Sequence, residues 1–169
     1  MPDGNLYESD FHAWTVVQAE KLRAAAKVQV PELEGVDFEH IIEEVEDLGI
    51  SERRQVTSNL SVALEHMIKI STLPHTDFVR GWRNEAIAAI RNARRAFSPS
   101  MIQRIDATDI WNEAREDALQ KLIEDGVSAS DVSVEPPLTL EQMLVGDLSA
   151  IELIDIVISK MPSDLPEIK

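Results

Sequence analysis

Cysteine is absent from the 169-residue chain, which excludes disulfides and thiolate metal sites and leaves the redox compartment unread. Aromatic residues are scarce at 5 %, so any interior must be aliphatic and alanine-rich. The six glycines are scattered and form no phosphate-cradling loop, and no Gly-x-Ser-x-Gly turn occurs. Long apolar runs are missing too. The richest stretch, Ile151 to Ile158, contains Glu152 and Asp155 and is far too short to span a bilayer. Met1 to Asp10 carries neither a basic nor an apolar segment, so no secretory signal is read and a cytoplasmic protein is the simplest expectation. Positive charge is outnumbered, 16 Lys and Arg against 31 Asp and Glu, for a formal net charge of -15. Such a surface repels anionic membrane and nucleic acid alike. No membrane partner is expected, and nucleic acid is disfavoured.

What remains is helical. Hydrophobic residues make up 44 %, enough for one core at a length usual for one domain. Ser9 or Asp10 can cap a first helix carrying Phe11, Trp14, Leu22 and Ala25. Gln29 to Gly35 reads as a loop. Asp37 caps a second helix whose Phe38, Ile41, Ile42, Val45 and Leu48 form the cleanest period-3.6 stripe in the chain. Gly49 is expected to stop it and Ser51 to cap a third helix, giving an antiparallel hairpin. That third helix carries Val56, Leu60, Ala63, Leu64, Met67 and Ile70 and ends by Pro74. A fourth, capped by Asp77, presents Trp82, Ala86, Ala89, Ile90, Ala93 and Phe97. Ser98-Pro99 then opens a fifth, with Trp111, Ala114, Ala118 and Leu122 inward and Gly126 as its stop. Ser128 to Pro137 is expected to be extended. Thr139 to Gln142 matches a capping box before a short helix to Leu144, and Ile151 to Met161 is read as helix rather than strand, because no partner strand exists.

The expected architecture is therefore all-α: a compact antiparallel bundle of about five helices over residues 1–127, with a C-terminal extension, 128–169, packed on it as part of a single domain.

Several segments together resemble a known family. Leu6-Tyr7-Glu8-Ser9-Asp10 with Trp14, then Ile41 to Gly49 (Glu-Glu-x-Glu-x-Leu-Gly within it), Leu64 to Lys69, Trp82-Arg83, Arg91, Ser98 to Met101, and Pro136 to Leu144 resemble the bacterial domain-of-unknown-function family 29. The resemblance spans Leu6 to Leu144. It departs at Trp111, where tyrosine is usual, and Ser149 to Lys169 extends past the family's end. It implies a helical fold and carries over no activity and no catalytic residue.

Three constellations could carry chemistry. Glu39, Glu43 and Glu46 lie at i, i+4 and i+7, one acidic ridge beside the apolar stripe. Helical bundles hold paired metals with glutamates and Glu-x-x-His, but the nearest match is Asp37-Phe38-Glu39-His40, with aspartate in the glutamate position. In the expected hairpin His66 would sit about 13 Å beyond Glu43 at the helical rise, so Glu43, Glu46 and His66 make a polar site without shared metal ligation. A solvated or arginine-paired ridge is the simpler reading. His66, at the edge of an apolar face, is expected to donate to a carbonyl or carboxylate. Finally, Arg80, Arg83, Arg91, Arg94 and Arg95 fall between Asp77 and Phe97 against Asp77 and Glu85 alone. This gives that segment +3 and leaves -18 for the rest of the chain. Arg80, Arg83, Arg91 and Arg94 share a side suited to bidentate anion pairing. They would either pair with carboxylates or bind a nucleotide or nucleic-acid phosphate locally.

These features favour a non-enzymatic interaction or structural protein without a cofactor, self-associating or binding another protein; the apolar extension Ile151 to Met161 is the motive for a homo-oligomer. An anion-binding module on the arginine helix is the first alternative, and a metal-dependent hydrolase on Glu43, Glu46 or His66 the second.

Overall fold

The computed structural model describes residues 5–28, 31–127, 132 and 135–161. All regular elements among them are helical. They are α1 (Leu6–Ser9), α2 (Phe11–Ala25), α3 (Phe38–Thr72), α4 (Val79–Ala96), α5 (Ala107–Glu124), α6 (Leu140–Leu144) and α7 (Ala150–Lys160), with 3-10 turns at Pro31–Leu33 and Pro99–Gln103. The all-α expectation holds. Most of the segment expected to be extended, 128–131 with 133 and 134, lies outside the described residues.

The chain divides into two compact units. The first comprises Met1–Gln55 with Ala96–Arg104, the second Val56–Arg95 with Ile105–Lys169.

The first unit centres on α2 and the first half of α3. Asp10 caps α2 by accepting from Ala13 N at 2.9 Å. The expected break at Gly49 does not occur, because α3 runs through it for 35 residues. Gly49 has no positive φ, so it is not used as a stop. Its role is steric: a Cβ at position 49 would fall 2.3 Å from Thr15 Oγ1. Thr15 is buried, and its hydroxyl donates to His12 O at 2.8 Å. Glycine here lets α2 approach α3. Gly126, by contrast, has φ 79° and ends α5 as expected. Gly126 N bonds to Ile123 O, and Val127 N to Leu122 O, the paired bonds of a left-handed helix stop.

Helix five also starts later than Ser98-Pro99 suggests. Ser98 makes no side-chain cap bond, and Pro99–Gln103 is a 3-10 turn. Asp106 caps α5 instead, accepting from Thr108 N and Asp109 N.

The second unit holds the apolar core. Leu60, Leu64, Met67 and Ile68 of α3 are buried with Ile90 of α4, Trp111 and Leu122 of α5, and Leu153, Ile154 and Val157 of α7. The ambiguous stretch is helix α7, capped by a second capping box, Ser149 with Glu152, that the sequence reading did not mark. Thr139 and Gln142 form the expected box before α6. The apolar face of α7 is thus core. This removes the motive for a homo-oligomer that rested on Ile151 to Met161.

Candidate interaction surface and buried charge cluster

The two halves of α3 differ in kind. From Ala63 to Ile70 every residue is buried. A helix enclosed on all sides has no solvated face, so any polar side chain it carries must find partners inside.

Three polar residues are caught there. Glu65, 5 % exposed, accepts from Lys69 Nζ at 2.9 Å and from Lys121 Nζ of α5 at 2.7 Å. Burial pushes the Glu65 carboxyl up, but the two lysine hydrogen bonds outweigh it, so the group stays ionised below its ordinary value. Lys69 Nζ also lies 5.3 Å from the centre of the Trp82 ring, a cation–π contact. His66 Nε2 lies 2.7 Å from Glu85 Oε2. Burial first, then the Lys69 charge, hold the imidazole below its ordinary value, against the pull of the carboxylates. The ring is neutral near pH 7, and Nε2–H donates to Glu85. Of the two acceptors expected for His66, a carbonyl or a carboxylate, the carboxylate is the one found. Its Nδ1 is buried with no hydrogen-bond partner among the described residues.

Glu43 and Glu46 belong to the first unit, His66 to the second, and the hairpin that would relate them does not exist. Glu46 pairs with Arg23 at 2.6 Å. No group of three or more acidic or histidine side chains is placed to hold a metal ion among the described residues.

The arginine helix is split in use. Arg83 pairs with Asp155 of α7, and Arg94 Nε donates to Met143 O at 2.8 Å. Arg80 and Arg91 are exposed. Two of the four arginines are therefore committed to α6 and α7.

Sequence reasoning missed two arrangements. One is the Glu65–Lys69–Lys121 cluster. Its i, i+4 spacing is visible in the sequence, but Lys121 comes from another helix. The other joins the N-terminus of α2 to the turn at Pro99–Gln103. Asp10 accepts from Ser100 N and from Ser100 Oγ, both at 2.7 Å, and His12 Nδ1 lies 3.0 Å from the same hydroxyl. Since that hydroxyl donates to Asp10, the imidazole donates to it. Serine stands between the other two groups, which is a tie and not a nucleophile aligned on a base.

The first half of α3 is more open than the segment Ala63 to Ile70. Of Phe38, Ile41, Ile42, Val45 and Leu48 none is buried; Ile41 is 42 % and Leu48 49 % exposed. Gly49 facing Thr15 and the Arg23–Glu46 pair set the geometry of the hairpin that α2 makes with α3. At about 100° per residue, Glu39, Glu43 and Glu46 fall on the Arg23 flank. There a cavity of about 500 Å³ is lined by Arg23, Ala26, Lys27, Phe38, Ile42 and the three glutamates. Val45, Ile41 and Leu48 fall on the opposite flank, where α2 carries Phe11 and Trp14. Those two rings stack at 5.5 Å and each meets Tyr7 edge-on. Tyr7 is 52 % exposed. One flank is therefore lined by ion-pairing side chains, and the other carries apolar side chains of which Tyr7, Ile41 and Leu48 are exposed and Phe11, Trp14 and Val45 half-buried.

Comparison with known proteins agrees with the fold. A crystal structure of an α-helical protein of unknown function from Rhodospirillum rubrum is similar at 31 % identity and a TM-score of 0.83, covering 92 % of this chain and 98 % of that one. No curated protein matches. No helix among the described residues is long and apolar enough to cross a membrane. The model of the family described as domain of unknown function DUF29 matches residues 6–148, and the chain belongs to that family.

Proposed function

We propose that this is a non-enzymatic interaction protein that docks a protein partner on the apolar flank of the α2–α3 hairpin. The supporting observation is the exposure of Ile41 and Leu48 on the most regular apolar stripe of the sequence. Single exposed apolar residues are ordinary. A periodic stripe flanked by a partly exposed aromatic cluster is not, and such patches mark interaction sites. The polar clusters do not compete as reaction centres. Glu65 is neutralised by two lysines, and His66 offers its one hydrogen-bonded nitrogen to Glu85.

A photo-crosslinker placed at Leu48 in the producing cell tests this reading, with the exposed Ile123 of α5 as control. A discrete adduct at 48 and none at 123 is expected. Equal adducts, or none at either position, would contradict it. Self-association through the same flank would appear as an adduct of the chain with itself.

Anion binding by the arginine helix is the second reading, supported by the exposure of Arg80 and Arg91. Unchanged NMR shifts at those residues on adding inorganic phosphate at low salt would end it.

A further inference from the structure

We infer that the partner seated on this flank is a cationic amphipathic helix, an inference that rests on the docking reading above. Two helices side by side leave a valley on each flank. A third helix laid in the apolar one would cover Phe11, Trp14, Ile41, Val45 and Leu48 together, and helices are read in such valleys through anchors at i, i+3/i+4 and i+7.

The charge on the α3 wall of the valley selects the occupant; on the α2 wall Lys21, seven residues past Trp14, lies on the same side and has a partner of its own. Between Asp37 and Glu52 the chain places Asp37, Glu39, Glu43, Glu44, Glu46, Asp47 and Glu52 with no lysine or arginine. Asp37 pairs with His40 and Glu46 with Arg23. No hydrogen bond or ion pair among the described residues engages Glu44 or Glu52. By helical spacing Glu44 stands at the edge of the Ile41 and Leu48 side, and Glu52 continues that same face one turn past Leu48. A second copy laid face to face would set this acidic segment against another of the same sign, in a chain already at -15. Like charges across an interface oppose association, and complementary ones select the partner. A helix with leucine-like anchors and lysine or arginine rims meets both demands.

The test uses the full chain and two synthetic helical peptides of about 18 residues with the same leucine spacing, one filled with lysine and one with glutamate. The lysine peptide is expected to bind about tenfold or more tightly than its glutamate counterpart and to shift the methyl signals of Ile41, Val45 and Leu48. The Ile41→Ser/Leu48→Ser variant keeps every charge, so a merely ionic attraction would survive it. About a tenfold loss is expected instead. Equal binding of the two peptides, or undiminished binding by the variant, overturns the inference. A concentration-dependent dimer abolished by the same variant would also overturn it, while leaving the docking reading intact. Absence of peptide binding, dimer and crosslink together would remove both.

Discussion

Gly49 and Thr15 stand in a contact so close that a Cβ at position 49 would force Thr15 to shift. A Cβ there would fall 2.3 Å from the threonine hydroxyl, inside a hairpin where Thr15 is buried. Gly49→Ala removes a helix-interior glycine and on propensity alone would stabilise by about 0.5–1 kcal/mol. Overpacking costs about 1–3 kcal/mol, so a net loss of stability is expected. Urea unfolding of the variant checks the sign.

The same glycine shows why part of the fold was illegible. Gly49 and Gly126 both follow apolar helical periodicity, and the sequence marks both as stops. Only Gly126 adopts a left-handed φ. The difference lies in a residue 34 positions before Gly49, Thr15, which local pattern cannot see. Capping chemistry, being local, was legible at Asp10 and Thr139. At the start of α5 the local signal misled, because Ser98-Pro99 opens a 3-10 turn and Asp106 supplies the cap bonds.

Glu65 is the keystone of the buried charges. Glu65→Gln leaves Lys69, 11 % exposed at its side chain, without its counter-charge, and breaking a buried pair costs about 3–5 kcal/mol. Lys121 is half exposed, so Lys121→Met is expected to cost about 1 kcal/mol or less. Thermal unfolding of the two variants compares them.

The pH dependence follows from the histidines. His66 is held below its ordinary 6.5 by burial, then by Lys69. His12 is held below it by burial, then by Arg104 and Arg53. Above pH 6.5 both rings are neutral in folded and unfolded chains, and their contribution is whole. Below 6.5 the unfolded chain binds protons that the folded chain refuses, so stability falls with pH until the folded values are passed. His40, raised by its exposed bond to Asp37, acts in the opposite sense. His66→Gln is therefore expected to flatten the fall of the urea midpoint between pH 7 and 5; an unchanged slope would contradict this.

Asp10 has two duties, as cap of α2 and as acceptor for Ser100. Asp10→Ala is expected to cost about 1–2 kcal/mol from the cap alone. In a double-mutant cycle with Ser100→Ala, a coupling of about 0.5 kcal/mol or more is expected. Strict additivity would mean that the two residues are independent.

Candidate sites were legible unevenly, for a physical reason. The sequence left carbonyl and carboxylate open as the partner of His66, because Glu85 comes from another helix. The apolar stripe beside the acidic ridge was visible as a pattern, but periodicity states only that residues share a face. It does not state whether anything covers them. The stripe with the clearest period is the more open one, while the all-round buried segment Ala63 to Ile70 lies in the core.

That contrast is also the most direct test. Unfolding free energies of Leu48→Ala and Leu60→Ala compare one helix in its two halves. Leu60 is fully buried, and its truncation is expected to cost about 2–5 kcal/mol. Leu48, open to solvent in the isolated chain, is expected to cost about 1 kcal/mol or less. Equal losses at the two positions would place Leu48 in the core and contradict the docking surface.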